Sequence, residues 1–337
     1  MQIDSGVHIA ATPLQIEAGA VAAEVLGYDG FAVPETRHDA FTSLALAARV
    51  TSSITLQSAI AVAFARNPMS VAVLANDIQL ISGGRFQLGL GSQVRPHIER
   101  RYSMPWSHPA ARMEEFIAAV RAVWQSWASG ERLAFRGQFY HHTLMTDFFN
   151  PGPNPHGNPR VVLAAVGGLM TGVAGRVADG MLCHSFTTET YLRERTVPAL
   201  LAARGSLDGF ELSLPAFVVL GRDEQARAAA EAGVRAQIAF YGSTPAYRPV
   251  LELHGWAELH QQLNALSRQQ AWAEMGTLIS DDVLDVFAVA GDPQQVARSL
   301  LGRFGDLVTR MSLYTPYAAE PEDIAAVVAA LRAAPAR

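Results

Sequence analysis

Short β-rich runs alternate with helical stripes along most of the chain, and this alternation narrows the fold more than any other feature. It is the pattern of a parallel sheet wrapped by helices. Runs near Ile3 to Ala10, Gly30 to Pro34, Ile54 to Ala61, Arg85 to Leu90, Arg160 to Ala165, Gly180 to Cys183, Glu211 to Leu220 and Leu307 to Tyr314 predict eight strands. Between them, Val71, Leu74, Ile78 and Ile81 keep helical spacing, as do Phe116, Val120, Val123 and Trp127. A last helix follows Pro321 on the stripe Ile324, Val327, Val328, Leu331. Eight strand–helix repeats predict an α/β fold, a (β/α)8 TIM barrel with insertions. A Rossmann sheet fits less well, because no strand runs into Gly-x-Gly-x-x-Gly; Gly89-Leu90-Gly91 lacks the third glycine. At roughly 150 residues per domain the length suggests two domains, yet α/β barrels run longer as one, and no linker separates a second unit. Residues 1–337 are therefore expected to form a single domain. Insertions at Gly130 to Pro159 and around Tyr241 to Asp285 are too long for simple connections and predict lids and substrate walls.

Charge and composition exclude several roles. Hydrophobic residues make up 50% of the chain and charged residues 17%, so a large core is expected. All 26 basic residues are arginine, and the net charge is -5, which argues against a nucleic-acid partner. No stretch reaches the roughly 18 apolar residues of a membrane helix, and the start Met1-Gln2-Ile3-Asp4 lacks a basic leader, so a cytoplasmic location without membrane partners is expected. The lone Cys183, in an apolar context, reads as structural.

In such a barrel the chemistry sits at the carboxyl ends of the strands. After the second strand comes Glu35-Thr36-Arg37-His38-Asp39, the densest polar group at any strand end. After the fourth comes Gly91-Ser92-Gln93-Val94-Arg95-Pro96-His97; after the fifth, Val166-Gly167-Gly168 leads into a helix expected from Met170 to Ala178. Small residues at a helix start leave backbone N–H groups open to an anion, although a glycine pair is often only a turn device. The third strand runs on as Ser58-Ala59-Ile60-Ala61-Val62-Ala63-Phe64-Ala65, small enough for a flat ring to lie against its backbone, or simply a buried strand end.

Several landmarks occur in order: Gly27-Tyr28-Asp29-Gly30-Phe31, Arg66-Asn67-Pro68, Ser82-Gly83-Gly84-Arg85-Phe86-Gln87-Leu88-Gly89-Leu90-Gly91, Ala174-Gly175-Arg176-Val177-Ala178-Asp179-Gly180 and Ala290-Gly291-Asp292-Pro293. Together they resemble the luciferase-like monooxygenase superfamily, and within it the branch of coenzyme F420-dependent oxidoreductases. The resemblance implies a deazaflavin or flavin at the mouth of the barrel, with F420 as the cofactor and FMN as the alternative. It also implies a non-proline cis peptide ending the third strand, for which Ser58-Ala59 matches best and Ala59-Ile60 lies one step away. The cofactor phosphate is expected at Gly167 and Gly168, and Thr36, Ser58, Ala59, Ile60 and Gln93 are further expected contacts. Relatives often follow an acid directly with histidine; here Thr36 follows Glu35, and His38 comes two places later, on the same side if the backbone is extended.

The implied reaction is a hydride transfer with proton exchange by an imidazole or carboxylate. His38 is the leading acid/base, His97 the second, and Glu35 orients its neighbour; the competing reading makes His38 a loop residue bonded to Glu35 or Asp39. Arg95 and Trp106 are assigned to the small-molecule substrate, with Arg95 paired to Glu99 as the competing reading. Phe135, Tyr140, Phe148 and Phe149 are further candidates for the pocket lining. The rival functions are an FMN monooxygenase on the same barrel and a non-catalytic flavin holder. A metal site is not expected, because His141 and His142 are adjacent and no His-x-x-x-His pair has a nearby carboxylate, and there is no Gly-x-Ser-x-Gly elbow. Resemblance further implies a homodimer, with a separate reductase as a possible source of reduced cofactor.

Overall fold

The computed structural model describes residues 1–334. Eight parallel strands close on themselves: β1 (Gln2–Gly6), β2 (Gly30–Val33), β3 (Thr55–Ser58), β4 (Phe86–Gly91), β5 (Arg160–Ala165), β6 (Gly180–Cys183), β7 (Glu211–Val219) and β8 (Arg310–Tyr314). Each pairs with the next, and β8 returns to β1 with Ile3 beside Met311. The outer helices are α1 (Pro13–Val25), α2 (Ala40–Val50), α3 (Pro68–Ile81), α4 (Pro109–Ser129), α5 (Gly167–Val177), α6 (Val197–Arg204), α7 (Glu224–Gly242), α8 (Pro293–Phe304) and α9 (Pro321–Ala333). All eight expected strands are present. Among the described residues no helix is long and apolar enough to cross a membrane.

Helix starts follow from the sequence. Thr12 and Gln15 bond reciprocally at the head of α1, as do Asp292 and Gln295 at α8, with proline at the first helical turn of each. Asp39, Asn67 and Asp223 cap α2, α3 and α7. Two strand ends fall short of expectation. The first stops at Gly6, because the Ala11 N–H bonds back to the His8 carbonyl and turns the chain into α1. The third stops at Ser58, and the Ala59–Ile60 peptide is cis before Ala61–Val62 rejoin β4. The expected cis bond at Ser58–Ala59 is thus corrected by one residue. Parallel pairing to the β2 segment continues up to that bond: the Ala59 N–H donates to the Val33 carbonyl, and the Glu35 N–H donates to the Ile60 carbonyl.

The Ser82–Gly91 block is scaffold. Ser82 ends α3, and Gly83 and Gly84 turn with φ of 66° and 90°, where a side chain would be strained. The Arg85 guanidinium then donates to the carbonyls of Ala48, Thr51, Ile54 and Ser82 and to the Thr51 hydroxyl. It thereby satisfies carbonyls at the end of α2, where a cation also complements the helix dipole.

Inside the barrel, near the strands' amino ends, lies a buried polar layer. Arg310 pairs with Asp4 at 2.6 Å, while Gln87 donates to Glu211 and accepts from Gln57. Gly30 leaves the room this layer needs, since a Cβ there would stand 2.3 Å from the Asp4 carboxylate.

The α1 end is held to the loop before β3 by Glu24, whose carboxylate accepts the N–H groups of Ser52, Ser53 and Ile54. Burial opposes its ionisation, but those three donors outweigh it and pull its pKa down to about 2. A depressed carboxylate contributes stability above its unfolded pKa and loses it as pH falls toward the folded value. Glu24→Gln is therefore expected to melt below wild type at pH 6 to 7, with the gap narrowing steadily as the pH falls below about 4.5. Melting curves of the two proteins across that range check it, and a gap independent of pH contradicts it.

Candidate active site

Side chains alternate along a strand, so the inward-facing set is fixed by the polar layer at the barrel floor. From Asp4, Gln57, Gln87, Glu211 and Arg310 the alternation runs upward to Gly6, Ala59, Gly89 and Gly91 on one side, and to Phe217 and Tyr314 on the other. Register adds Ala32 beside Gly6, and Ala164 one pleat above Val162, which faces Gly180. The two halves of the mouth therefore differ in kind. Around β1 to β5 the inward positions are glycine or alanine; a Cβ on Gly6 would meet nothing within 4 Å. Around β6 to β8 the uppermost inward positions, Phe217 and Tyr314, are aromatic, above Leu182, Ser213, Pro215 and Ser312.

The small half is braced from behind. Ser58 Oγ donates to the Gly89 carbonyl and accepts the Gly89 N–H, both at 2.9 Å, and is fully buried. Its hydroxyl is thus engaged within the sheet. Ala59 and Ile60 are half-buried, and Ile60 lies across Gly91, where a Cβ would come within 2.8 Å of its side chain. The Glu35 carboxylate accepts the Val62 N–H at 2.8 Å and pairs with Arg66 at 2.7 Å; Arg66 also reaches Asp39 at 2.5 Å. Glu35 is a clasp joining the loops after β2 and β3. The loop after β4 docks on this clasp, where Arg101 donates to the Thr36 carbonyl and the Thr36 hydroxyl donates to the Ile9 carbonyl.

The other expected residues sit apart from this wall. His38 is exposed and has no hydrogen bond to Glu35, Asp39 or any other described residue. Residues 36–38 form a bend, so the argument from extended backbone does not hold. His97 is exposed at the start of a single π-helical turn, His97–Arg101. Gln93 bends with φ of 60° and accepts its neighbour's N–H. Arg95 is exposed and paired with Glu99 at 2.9 Å, as in the competing reading. Trp106 is half-buried, edge-on to Phe64. Gly167, with φ of 74°, and Gly168 open α5 three residues earlier than expected. Val166 supplies no side-chain cap, and a Cβ at either glycine would meet open space, so the first N–H groups of α5 face outward unsatisfied by protein.

The aromatic half was not foreseen. His184 follows directly on β6; its Nδ1 accepts the Phe186 N–H at 3.0 Å, which leaves the proton on Nε2. The imidazole stacks on Tyr247 and meets Tyr241 edge-on, both with ring centroids at 4.5 Å. Tyr241 and Tyr314 share a hydrogen bond of 3.1 Å between their hydroxyls, and Tyr314 leans on Phe217. Burial pushes His184 down to about 4 and Tyr247 up to about 12, and raises Tyr314 as well, so this wall carries no charge at neutral pH. Tyr241 and Tyr247 stand at the start of the second insertion, whose Val250, Leu251, Leu263 and Met275 form one buried cluster with Phe186 and with Phe217 and Val219 of upper β7. The hairpin of the first insertion, Phe135–Arg136 against His141–His142, lies on the first turns of α4, where Glu115 accepts three of its N–H groups and Tyr140 packs edge-on against Phe116 and accepts from Arg112. Phe148 and Phe149 are exposed and contact each other. Two grooves, of about 780 and 330 Å³, lie at the opposite, amino end, lined by helix ends and loops: Arg49, Ser53 and Arg85 in one, Arg121, Asp179 and Arg204 in the other.

Comparison with known proteins is consistent with this architecture. The family described as luciferase-like monooxygenase matches residues 2–310. An uncharacterised protein of Mycobacterium tuberculosis is 51% identical over 296 residues, covering 87% of each chain. A second protein of that organism, named as a candidate coenzyme F420-dependent oxidoreductase, is 28% identical over 340 residues, covering 94% of this chain and 96% of its own. Among solved structures, the coenzyme F420-dependent tetrahydromethanopterin reductase of Methanopyrus kandleri superposes with a TM-score of 0.78 at 20% identity, over 97% of this chain and 96% of the other.

Proposed function

Because the chain belongs to the luciferase-like monooxygenase family, we propose that it is an oxidoreductase that holds coenzyme F420 in the mouth of the barrel and exchanges a hydride with a small organic substrate. The observation that supports this most is the division of the mouth: a half whose inward positions are glycine and alanine, facing an uncharged aromatic half. The relative named for F420, similar along nearly the whole chain, supports the deazaflavin over FMN.

The residues fit such a group. The uncapped N–H groups opening α5 at Gly167 and Gly168 would hold a phosphate, favoured further by the helix dipole. Gly6, with Ala32 beside it and Ala59 on β3's extension, leaves space for a planar ring, and the Glu35–Arg66 clasp keeps the neighbouring backbone in place. When bound, the deazaflavin supplies hydride donation and acceptance. The second insertion covers part of the mouth and keeps water from the reacting face. His38, the acid/base expected from sequence, has nothing to orient it. His184 is oriented by the Phe186 N–H and by Tyr247, and its Nε2–H has no acceptor among the described residues, so that N–H would donate a hydrogen bond to the substrate oxygen and stabilise the charge that builds there during hydride transfer. His184→Phe, which removes that donor, is expected to lower turnover about 100-fold with F420 affinity unchanged. The flavin alternative is tested by aerobic oxygen uptake with reduced FMN, expected to be absent; rapid uptake together with an unaffected His184→Phe enzyme would overturn the reading.

A further inference from the structure

We propose that the aromatic half of the mouth selects an uncharged substrate, a ketone or a secondary alcohol, through its oxygen at the Tyr241–Tyr314 hydroxyl pair. This rests on the reading above and adds the substrate class to it. Two hydroxyls carry two donors, and the 3.1 Å bond between them uses one. One O–H is left to donate, together with free lone pairs, which suits a neutral oxygen that must accept as a ketone and both accept and donate as an alcohol. A carboxylate presents acceptors only and would lose its hydration to a site with no cation. The chain has no lysine, and the arginines nearest the pair in sequence are each held by a carboxylate: Arg310, lower on β8, by Asp4, Arg235 by Asp281 and Arg248 by Glu252. His184 adds a second neutral donor on the same wall, its ring in contact with both Tyr241 and Tyr247. Phe186 and Phe217 complete an apolar backing for the carbon skeleton.

The test uses three probes of like shape and different charge: acetophenone, 1-phenylethanol and benzoate. Each is titrated calorimetrically into the full-length protein, with and without bound F420. Both neutral probes are expected to bind more tightly than benzoate, and Tyr241→Phe and Tyr314→Phe, which keep the rings, are each expected to weaken them about fivefold, the worth of one hydrogen bond. Cofactor affinity in both variants should stay at the wild-type value, which also certifies their folding. Benzoate binding as tightly as acetophenone, neutral probes that fail to bind, or neutral affinities unmoved in both variants would overturn the proposal. Absence of F420 binding by the wild type, with the neutral preference intact, would instead remove the deazaflavin reading and leave the substrate class standing.

Discussion

Gly89→Ala is expected to lower the melting temperature by on the order of 10 °C, or to prevent folding altogether. A Cβ on Gly89 would lie 1.7 Å from the carbonyl oxygen of Ser58, well inside van der Waals contact. Relief would require β3 and β4 to part, because the obstacle is backbone. Ser58 Oγ resists that by bonding to both the N–H and the carbonyl of Gly89. A cost of about 5 kcal/mol follows for an overpacked site that cannot relax. Gly302→Ala provides the contrast: it lies within α8 with open space around its Cβ, and is expected to gain a few tenths to about 1 kcal/mol. Thermal unfolding followed by circular dichroism compares the two, and a Gly89→Ala protein melting within a degree or two of wild type would contradict the close approach.

The second large effect is expected at Arg66. Its guanidinium is the partner of Glu35, whose side chain is 7% exposed, and also binds Asp39 and the Val62 carbonyl. Arg66→Met keeps the length and removes the cation, leaving a buried carboxylate with the Val62 N–H. Breaking a buried pair from one side costs about 3 to 5 kcal/mol, most of it the stranded charge. Adding Glu35→Gln should therefore recover part of the loss, with a coupling of about 1 to 3 kcal/mol in a double-mutant cycle. Chemical denaturation of the four proteins measures it, and additive losses would show that Glu35 and Arg66 do not act as a pair.

The barrel was legible because each of its strands is a short apolar run flanked by helical periodicity, and because helix caps such as Asp39, Asn67 and Asp292 are local signals. The site was legible only in half. Gly167 and Gly168 stand where a helix begins and could be located from the turn itself. Glu35 was picked out as polar, but its engagement by Arg66, 31 residues away, depends on two loops meeting in space. Arg95 is the opposite case, since its i,i+4 spacing to Glu99 is a local signal that made the pairing legible. His184 directly follows one strand and Tyr314 ends another, so reading every strand end as closely as those at Glu35 and Gln93 would have found them. Tyr241 and Tyr247 carried no such signal, since nothing in a helical insertion tells which end of the barrel it covers.

The central claim is that this mouth is built for a deazaflavin. Its most direct test is a fluorescence titration of the purified protein with F420 and, separately, FMN at matched concentrations. The account predicts F420 binding at micromolar strength, with FMN at least about tenfold weaker, a difference of roughly 1.4 kcal/mol. FMN binding more tightly than F420, or neither binding, would contradict it.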